Sequence, residues 1–255
     1  MARGKKSNIV VAEEEKLEAH PQPGQILVYD FRPKADFRPA LSDPPLIKCV
    51  QWNIERGYEL DLVIAMLQEH EADVICLQEL DIGCERSAGR NCAFEIAQAL
   101  KMKLAMAVEY VELHSPLRHA RSQGGGVHGN AILSRWDFTP HAWPHSHQPV
   151  DWDRDGSSKG EPRTGQRVIL AADLQIPGLN EPLRCYSLHL EVFCGLTDRV
   201  LQLQDVLNDA QNYDSGLIFG DLNTLGHGIA RLSPRYCRDH MRWQSIGWSE
   251  SAWFR

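Results

Sequence analysis

A chain of 255 residues with 43% hydrophobic content can bury a sizeable core as one large domain. Its net charge of −7 excludes a broad basic surface that coats nucleic acid non-specifically, though it leaves room for a local basic rim. No apolar run approaches the roughly 18 to 20 residues that span a bilayer, and the seven cysteines, scattered and without a C-x-x-C pair, fit neither a disulfide framework nor a zinc site.

Several cysteines lie inside apolar runs, where a thiol behaves as a small hydrophobe, so a reduced, intracellular compartment (cytoplasmic or nuclear) is expected. The basic residues Arg3, Lys5 and Lys6 are followed by an apolar stretch too short for a signal-peptide core. Residues 1–44 mix charge runs with prolines at 21, 23, 33, 39 and 44 and read as an extended or disordered leader, with a short strand over 26–29. A compact domain is expected over 45–255. There a strand at 46–52 precedes an amphipathic helix at 60–70, on which Leu60, Val63, Met66 and Leu67 share a face. A strand at 73–78, a helix at 91–100 capped by Asn91, and strands at 103–113, 130–134, 166–176 and 183–190 follow. A helix at 197–208, capped by Thr197, leads to a strand at 215–220. The short Pro/Gly connection 177–182 marks a hairpin and hence a mixed rather than purely parallel sheet.

Four apolar strands end in polar residues rather than ordinary turn residues. They end in Asn53 and Glu55, in Glu79, in His189, and in Asp221 with Asn223. Convergence of those ends would make one polar site. Oxygen donors suit a hard cation such as Mg²⁺, with Mn²⁺ an alternative, and point to chemistry on phosphate. Taken singly, each has a plainer reading: Glu79 as a loop charge, Gly220-Asp221-Leu222-Asn223 as a turn, His189 as a structural histidine. Arg163 and Arg167 enter the strand whose hairpin partner carries His189. They could clamp phosphate or simply face solvent. Gly124-Gly125-Gly126 lacks the Gly-Lys-Ser/Thr of a phosphate loop and reads as a flexible hairpin connection, while Asp151, Asp153 and Asp155 copy only the first half of an EF-hand loop.

Together, Trp52-Asn53-Ile54-Glu55, Leu77-Gln78-Glu79, Gly129-Asn130-Ala131-Ile132-Leu133-Ser134, Ser187-Leu188-His189-Leu190 and Gly220-Asp221-Leu222-Asn223 resemble the endonuclease/exonuclease/phosphatase superfamily. The resemblance covers about residues 46–224. It implies an α+β fold, a four-layer αββα sandwich of the deoxyribonuclease type, with the site at one edge of two sheets. It further implies Glu79 and Asn53 as metal ligands, and Asp221, Asn223 and His189 as catalytic residues. Arg167 and Asn130 are assigned to substrate binding, and Glu55 receives no role.

The expected activity is Mg²⁺-dependent hydrolysis of a phosphodiester, nucleic acid first and inositol phosphates or sphingomyelin next, with no protein partner indicated. Family members carry a further Ser-Asp-His motif that nothing after Asn223 matches well. Asp239-His240 has the letters but no apolar strand before it. The C-terminal strands therefore read as missing, and a non-catalytic interaction module is the rival expectation. Residues 81–91, 114–128 and 144–165 are expected to supply specificity loops around the site.

Overall fold

The computed structural model of the protein describes residues 9–12, 19–33 and 46–224. Two sheets face each other. The larger contains β1 (Ile9–Val11), β2 (Ile26–Asp30), β3 (Cys49–Asn53), β4 (Val74–Ile82), β5 (Lys103–Glu112), β6 (Val127–Ser134) and β8 (Arg163–Gly165). Its strand order is β1-β2-β5-β6-β4-β3, and β8 continues along the edge of β5 beyond β2. The smaller sheet has the order β11-β10-β9-β7, built from β7 (Phe138–Pro144), β9 (Val168–Leu174), β10 (Leu183–His189) and β11 (Gly216–Asp221).

Side-chain alternation assigns the layers. On β4, Ile75 and Leu77 face α1 (Leu60–His70) and α2 (Cys92–Leu100), whereas Val74 and Cys76 face the second sheet. Val168, Leu170, Ala172 and Cys185 meet that inner face, so the space between the sheets is filled with buried aliphatic and thiol groups. Each fully buried large aliphatic side chain there contributes about 1.5–3 kcal/mol. The outer face of the smaller sheet, with Ile169, Ala171 and Leu188, is covered by Val206 and Leu203 of α4 (Leu196–Ala210). The result is the expected αββα sandwich.

Two strand–helix–strand units place the site. β3 and β4 are parallel neighbours joined through α1, and β10 and β11 are parallel neighbours joined through α4, since a parallel pair needs a crossover. Their registers bring Asn53 level with Gln78 in one sheet and His189 level with Asp221 in the other. The sheets are fastened near these ends by Gln78 Nε2, which donates to Ser187 Oγ at 3.0 Å.

Several sequence expectations need adjustment. The strand expected over 26–29 is β2, and its residues 26–29 are buried against β5, so part of the stretch read as a leader belongs to the larger sheet. Asn91 does cap α2, accepting from Phe94 N at 3.0 Å. Thr197 does not cap α4; the N-cap is Gly195, whose N–H donates to Asp198 Oδ2 at 2.9 Å. The Gly-rich stretch is not a loose connection. A Cβ on Gly126 would lie 2.1 Å from the Ile82 carbonyl oxygen, so glycine is required for the close approach of two backbones. Asp151, Asp153 and Asp155 do not gather around an ion site. Asp151 accepts from Arg154 N to cap the one-turn helix α3 (Trp152–Asp155), Asp153 accepts from Gly165 N, and Asp155 pairs with Arg154.

His145, just after β7, ties the smaller sheet to α4 by donating from Nδ1 to the Gln202 carbonyl at 3.0 Å. Burial pushes its pKa down to about 4 from the ordinary 6.5. The unfolded chain therefore binds a proton that the folded chain refuses between those values, and stability falls as pH drops from 6.5 toward 4. The loss is on the order of 3 kcal/mol. Denaturant unfolding at pH 7 and pH 4.5 should show it, and His145→Gln should remove about one proton's slope from the pH profile; an unchanged slope would refute the assignment.

Candidate active site

At the ends of the two parallel pairs lies an open cavity of about 520 Å³. β4 is interrupted there by a bulge: Leu77 pairs with Ala131 and Leu80 with Gly129, so Gln78 and Glu79 together oppose Asn130. Glu79 takes φ of 62°, a conformation that costs a non-glycine residue about 1–3 kcal/mol. Of the positive-φ non-glycine residues, Glu71, Ala88 and Lys101 sit at helix C-caps, as expected of that conformation. Glu55 (φ 48°), Arg56 (φ 65°), Glu79 and Asn223 (φ 51°) instead all line the cavity. Backbone strain is thus concentrated where four elements deliver polar side chains.

Asn53 is the link between the sheets. Its Nδ2 donates to Glu79 Oε1 at 3.0 Å and to Asp221 Oδ2 at 2.9 Å, while its Oδ1 accepts from Glu55 N at 3.0 Å. His189 Nε2 lies 3.9 Å from each of the same two carboxylate oxygens. Residues 53, 79, 189 and 221, far apart in sequence, therefore converge on one small volume. Asn223 locks the rim: its N–H donates to Asp221 Oδ1 at 2.8 Å and its Nδ2 to the Leu190 carbonyl at 2.7 Å. That leaves its Oδ1 and one Nδ2 hydrogen for a ligand. Gly220 lets β11 run close to β10, since a Cβ there would lie 2.3 Å from the Leu188 carbonyl oxygen.

The donor chemistry suits a hard divalent cation. Two partly exposed carboxylates share one locus, bridged by the Asn53 Nδ2, so that a turn of the Asn53 amide would bring its Oδ1 to an ion there; the nearest positive charge to Glu79 is Arg56 Nε, 3.8 Å from Oε2. Beside the carboxylates the wall is basic. Arg167, read from sequence as either a phosphate clamp or a solvated strand entry, is buried, donates to Glu109 Oε2 at 2.9 Å and faces the cavity. Arg163 is likewise buried, pairs with Glu161 and Glu112, and stacks over Trp152 with its guanidinium carbon 4.5 Å from the ring centre. Burial above all, and then the charge of Arg167, hold His189 well below the ordinary histidine range, so its ring is neutral near pH 7.

Asn130 sits opposite the bulge with both polar side-chain atoms buried and without a hydrogen-bond partner among the described residues. It shares its face of β6 with Ile132, toward the space between the sheets, and is not among the residues lining the cavity. Of the expected specificity loops, His119, Arg121 and Ser122 of one and Glu161 and Arg163 of another reach the cavity. Residues 81–91 do not; Asp81 and Arg86 are buried behind the wall.

Sequence reasoning passed over Arg56, Tyr58, Glu109 and His128. Glu109 had a usable signal, a carboxylate inside the apolar run Leu104-Ala105-Met106-Ala107-Val108, the same signal that singled out Glu79. Asp239, His240 and the aromatic residues Trp243, Trp248, Trp253 and Phe254 lie outside the described residues.

A two-sheet αββα sandwich with carboxylates, an amide and an imidazole gathered at its strand ends defines the structural class. The sequence profile of the Endonuclease/Exonuclease/phosphatase family matches residues 50–255, and the chain belongs to that family. Among solved structures, an endonuclease/exonuclease/phosphatase from Beutenbergia cavernae is 18% identical with a TM-score of 0.54, the match covering 78% of this chain and 53% of that one. The chain thus spans about half the length of that relative. A mannosyl-6-phosphatase from Bacteroides thetaiotaomicron (14% identity, TM-score 0.44) is matched over 79% of this chain and 72% of that one. An AP endonuclease from Archaeoglobus fulgidus (15% identity, TM-score 0.43) is matched over 77% and 68%. No curated protein sequence matches the chain. No helix among the described residues is long and apolar enough to cross a membrane.

Proposed function

We propose that the chain is a divalent-cation-dependent phosphoesterase that hydrolyses a phosphodiester, with nucleic acid the first substrate class and Mg²⁺ the ion, replaceable by Mn²⁺. The observation that carries this reading is the single amide of Asn53 joining the Glu79 and Asp221 carboxylates across two sheets, beside His189. Asn53 and Glu79 would hold the ion, whose chemistry is to polarise phosphoryl oxygen and offset developing charge.

The remaining work falls to the protein. Asp221, fixed through Oδ1 by the Asn223 N–H, presents its other oxygen to an attacking water and can accept its proton. His189 enters uncharged and supplies a ring N–H to a phosphoryl oxygen. Arg167 is held in place by Glu109, so its charge bears on the phosphate without a side-chain search. At the rim, Arg121 lies over the Tyr58 ring with its guanidinium carbon 5.5 Å from the centre, and Tyr58 Oη donates to the Arg121 carbonyl at 2.9 Å. That pair of a half-buried ring and an exposed guanidinium offers a stacking surface for a base through the guanidinium's outer face.

The test is hydrolysis of bis(p-nitrophenyl) phosphate by chelator-treated protein before and after Mg²⁺ or Mn²⁺ is restored. Activity should vanish on chelation and return with either ion. A parallel panel of DNA, RNA, sphingomyelin and inositol phosphates should rank nucleic acid first. Hydrolysis indifferent to chelation would overturn the metal reading, and a preference for inositol phosphates or sphingomyelin would overturn the substrate reading.

A further inference from the structure

Behind the Glu79 carboxylate, Glu109 of β5, His128 of β6 and His189 of β10 form a second cluster. One potential ligand atom from each lies within 4.8 Å of the others, and all three residues are buried. Glu109 is fully buried, and His128 and His189 are 3% and 4% exposed. Three features make this more than a chance meeting of polar groups.

The first is an unused nitrogen. His189 Nδ1 is buried and has no hydrogen-bond partner among the described residues, and a buried polar group left unpaired is destabilising unless a ligand meets it. The second is orientation from behind. His128 Nδ1 is held by Asp81 Oδ1 at 2.8 Å, and Asp81 is itself gripped by Arg86 through Nε at 2.6 Å and Nη2 at 2.8 Å. A carboxylate fixing one imidazole nitrogen so that the other presents its lone pair is the usual support of a metal-bound histidine. The third is access, because His128 and His189 both line the open cavity. Glu109 receives Arg167 Nη1 on Oε2 at 2.9 Å and Val168 N on Oε1 at 3.3 Å. A carboxylate has about four lone-pair sites, so those bonds leave room for one more partner.

We propose that Glu109, His128 and His189 form a binding site for a transition-metal ion of the Zn²⁺ class, separate from the Asn53–Glu79 locus. Two imidazoles and one carboxylate are a donor set for Zn²⁺ or Co²⁺ rather than Mg²⁺, which favours oxygen and retained water. Ligand atoms around a tetrahedral Zn²⁺ stand about 3.4 Å apart. The three ligand atoms, within 4.8 Å of one another, would draw together by side-chain rotation to reach that spacing. His189 belongs to both loci: an ion on Nδ1 keeps the ring proton on Nε2, the nitrogen that faces Glu79 and Asp221, so occupancy is expected to change the hydrolysis rate, and that consequence alone rests on the hydrolase reading.

The test is binding of Zn²⁺ and Co²⁺ to chelator-treated protein, read by competition with a chromophoric chelator and by the visible spectrum of Co²⁺. One tight equivalent is expected, with the intense bands of a low-coordinate nitrogen/oxygen site. His128→Gln should weaken it by 100-fold or more, whereas Glu79→Gln should leave it intact. X-ray absorption of the Zn²⁺-loaded wild-type protein should count two imidazoles at about 2.0–2.1 Å, a readout that needs no variant. A single imidazole, or binding lost in Glu79→Gln and kept in His128→Gln, would place the ion in the other locus and overturn the proposal. Absence of tight binding would overturn it too. If Zn²⁺ binds as described but Mg²⁺ supports no hydrolysis, this site stands and the hydrolase reading falls.

Discussion

Replacing Glu79 by Gln, or Asp221 by Asn, is expected to lower kcat/KM for metal-supported phosphodiester hydrolysis by about 10³-fold or more. Each change keeps the shape of the side chain and removes one negative charge from the pair that shares the Asn53 amide. In Glu79→Gln the lost charge is the one beside Arg56, so the cation locus is left with one carboxylate and a net basic wall. In Asp221→Asn the oxygen that would take the proton of the attacking water becomes a poor base. Neither variant should unfold: the two side chains are partly exposed, and relieving carboxylates that face each other should leave the thermal midpoint unchanged or slightly raised. Steady-state kinetics beside thermal unfolding will separate these effects. Undiminished activity in a folded Glu79→Gln protein would remove the basis of the site.

The largest stability effect is expected from Glu112. Its fully buried carboxylate meets Arg86 Nη2 at 3.2 Å, Arg163 Nη2 at 3.3 Å and the Arg118 guanidinium. Burial alone would push its pKa up, but Arg163, Arg86, His128 and Arg118 together hold it far below the glutamate range. Glu112→Gln leaves three guanidiniums in the interior with one anion fewer. Stranding buried charge in this way costs about 3–5 kcal/mol, about 10 °C or more in thermal midpoint at this chain length. The sign against pH follows from the depressed pKa. The wild-type contribution is complete above the unfolded value near 4.5 and is lost as pH falls below it, so the gap between wild type and variant should narrow in acid. Denaturant titrations at pH 7 and pH 3.5 measure both. A loss under 1 kcal/mol at neutral pH would mean that water reaches the cluster.

The polar strand endings were legible because each breaks a local rule. A carboxylate after Val74-Ile75-Cys76-Leu77-Gln78, or an imidazole between Leu188 and Leu190, conflicts with burial unless something meets it. The bounds of helix α1 were readable to the residue because its apolar spacing and its surroundings mostly agree; Met66, expected on the apolar face, is exposed. What escaped was set by tertiary structure. β7 contains Pro140 and Pro144 and sits on the edge of its sheet, where a missing N–H is tolerated, so its sequence reads as a loop. The strand at Val74–Ile82 runs on past Glu79 because a bulge absorbs the left-handed residue, and nothing local announces a bulge. Arg163 and Arg167 could be read as phosphate clamps or as solvated charges; their burial depends on Glu109, Glu112 and Glu191, carboxylates distant in the chain. His128 looks ordinary until β5 and β6 are laid beside β10, whereas Glu109 broke the same local rule as Glu79 and was passed over.

Asn53 and Glu79 ride on one sheet, His189 and Asp221 on the other, and a mostly apolar interlayer, crossed near the site by the Gln78–Ser187 hydrogen bond, separates the two platforms. Its thickness acts as a spacer gauge. The gap that one carboxamide must span is set by the girth of residues such as Cys76, Ala107, Ala172 and Cys185, none of which lines the cavity. A methyl group added or lost in that filling, well away from the cavity, changes the calibre of the reaction centre as directly as an exchange at its rim.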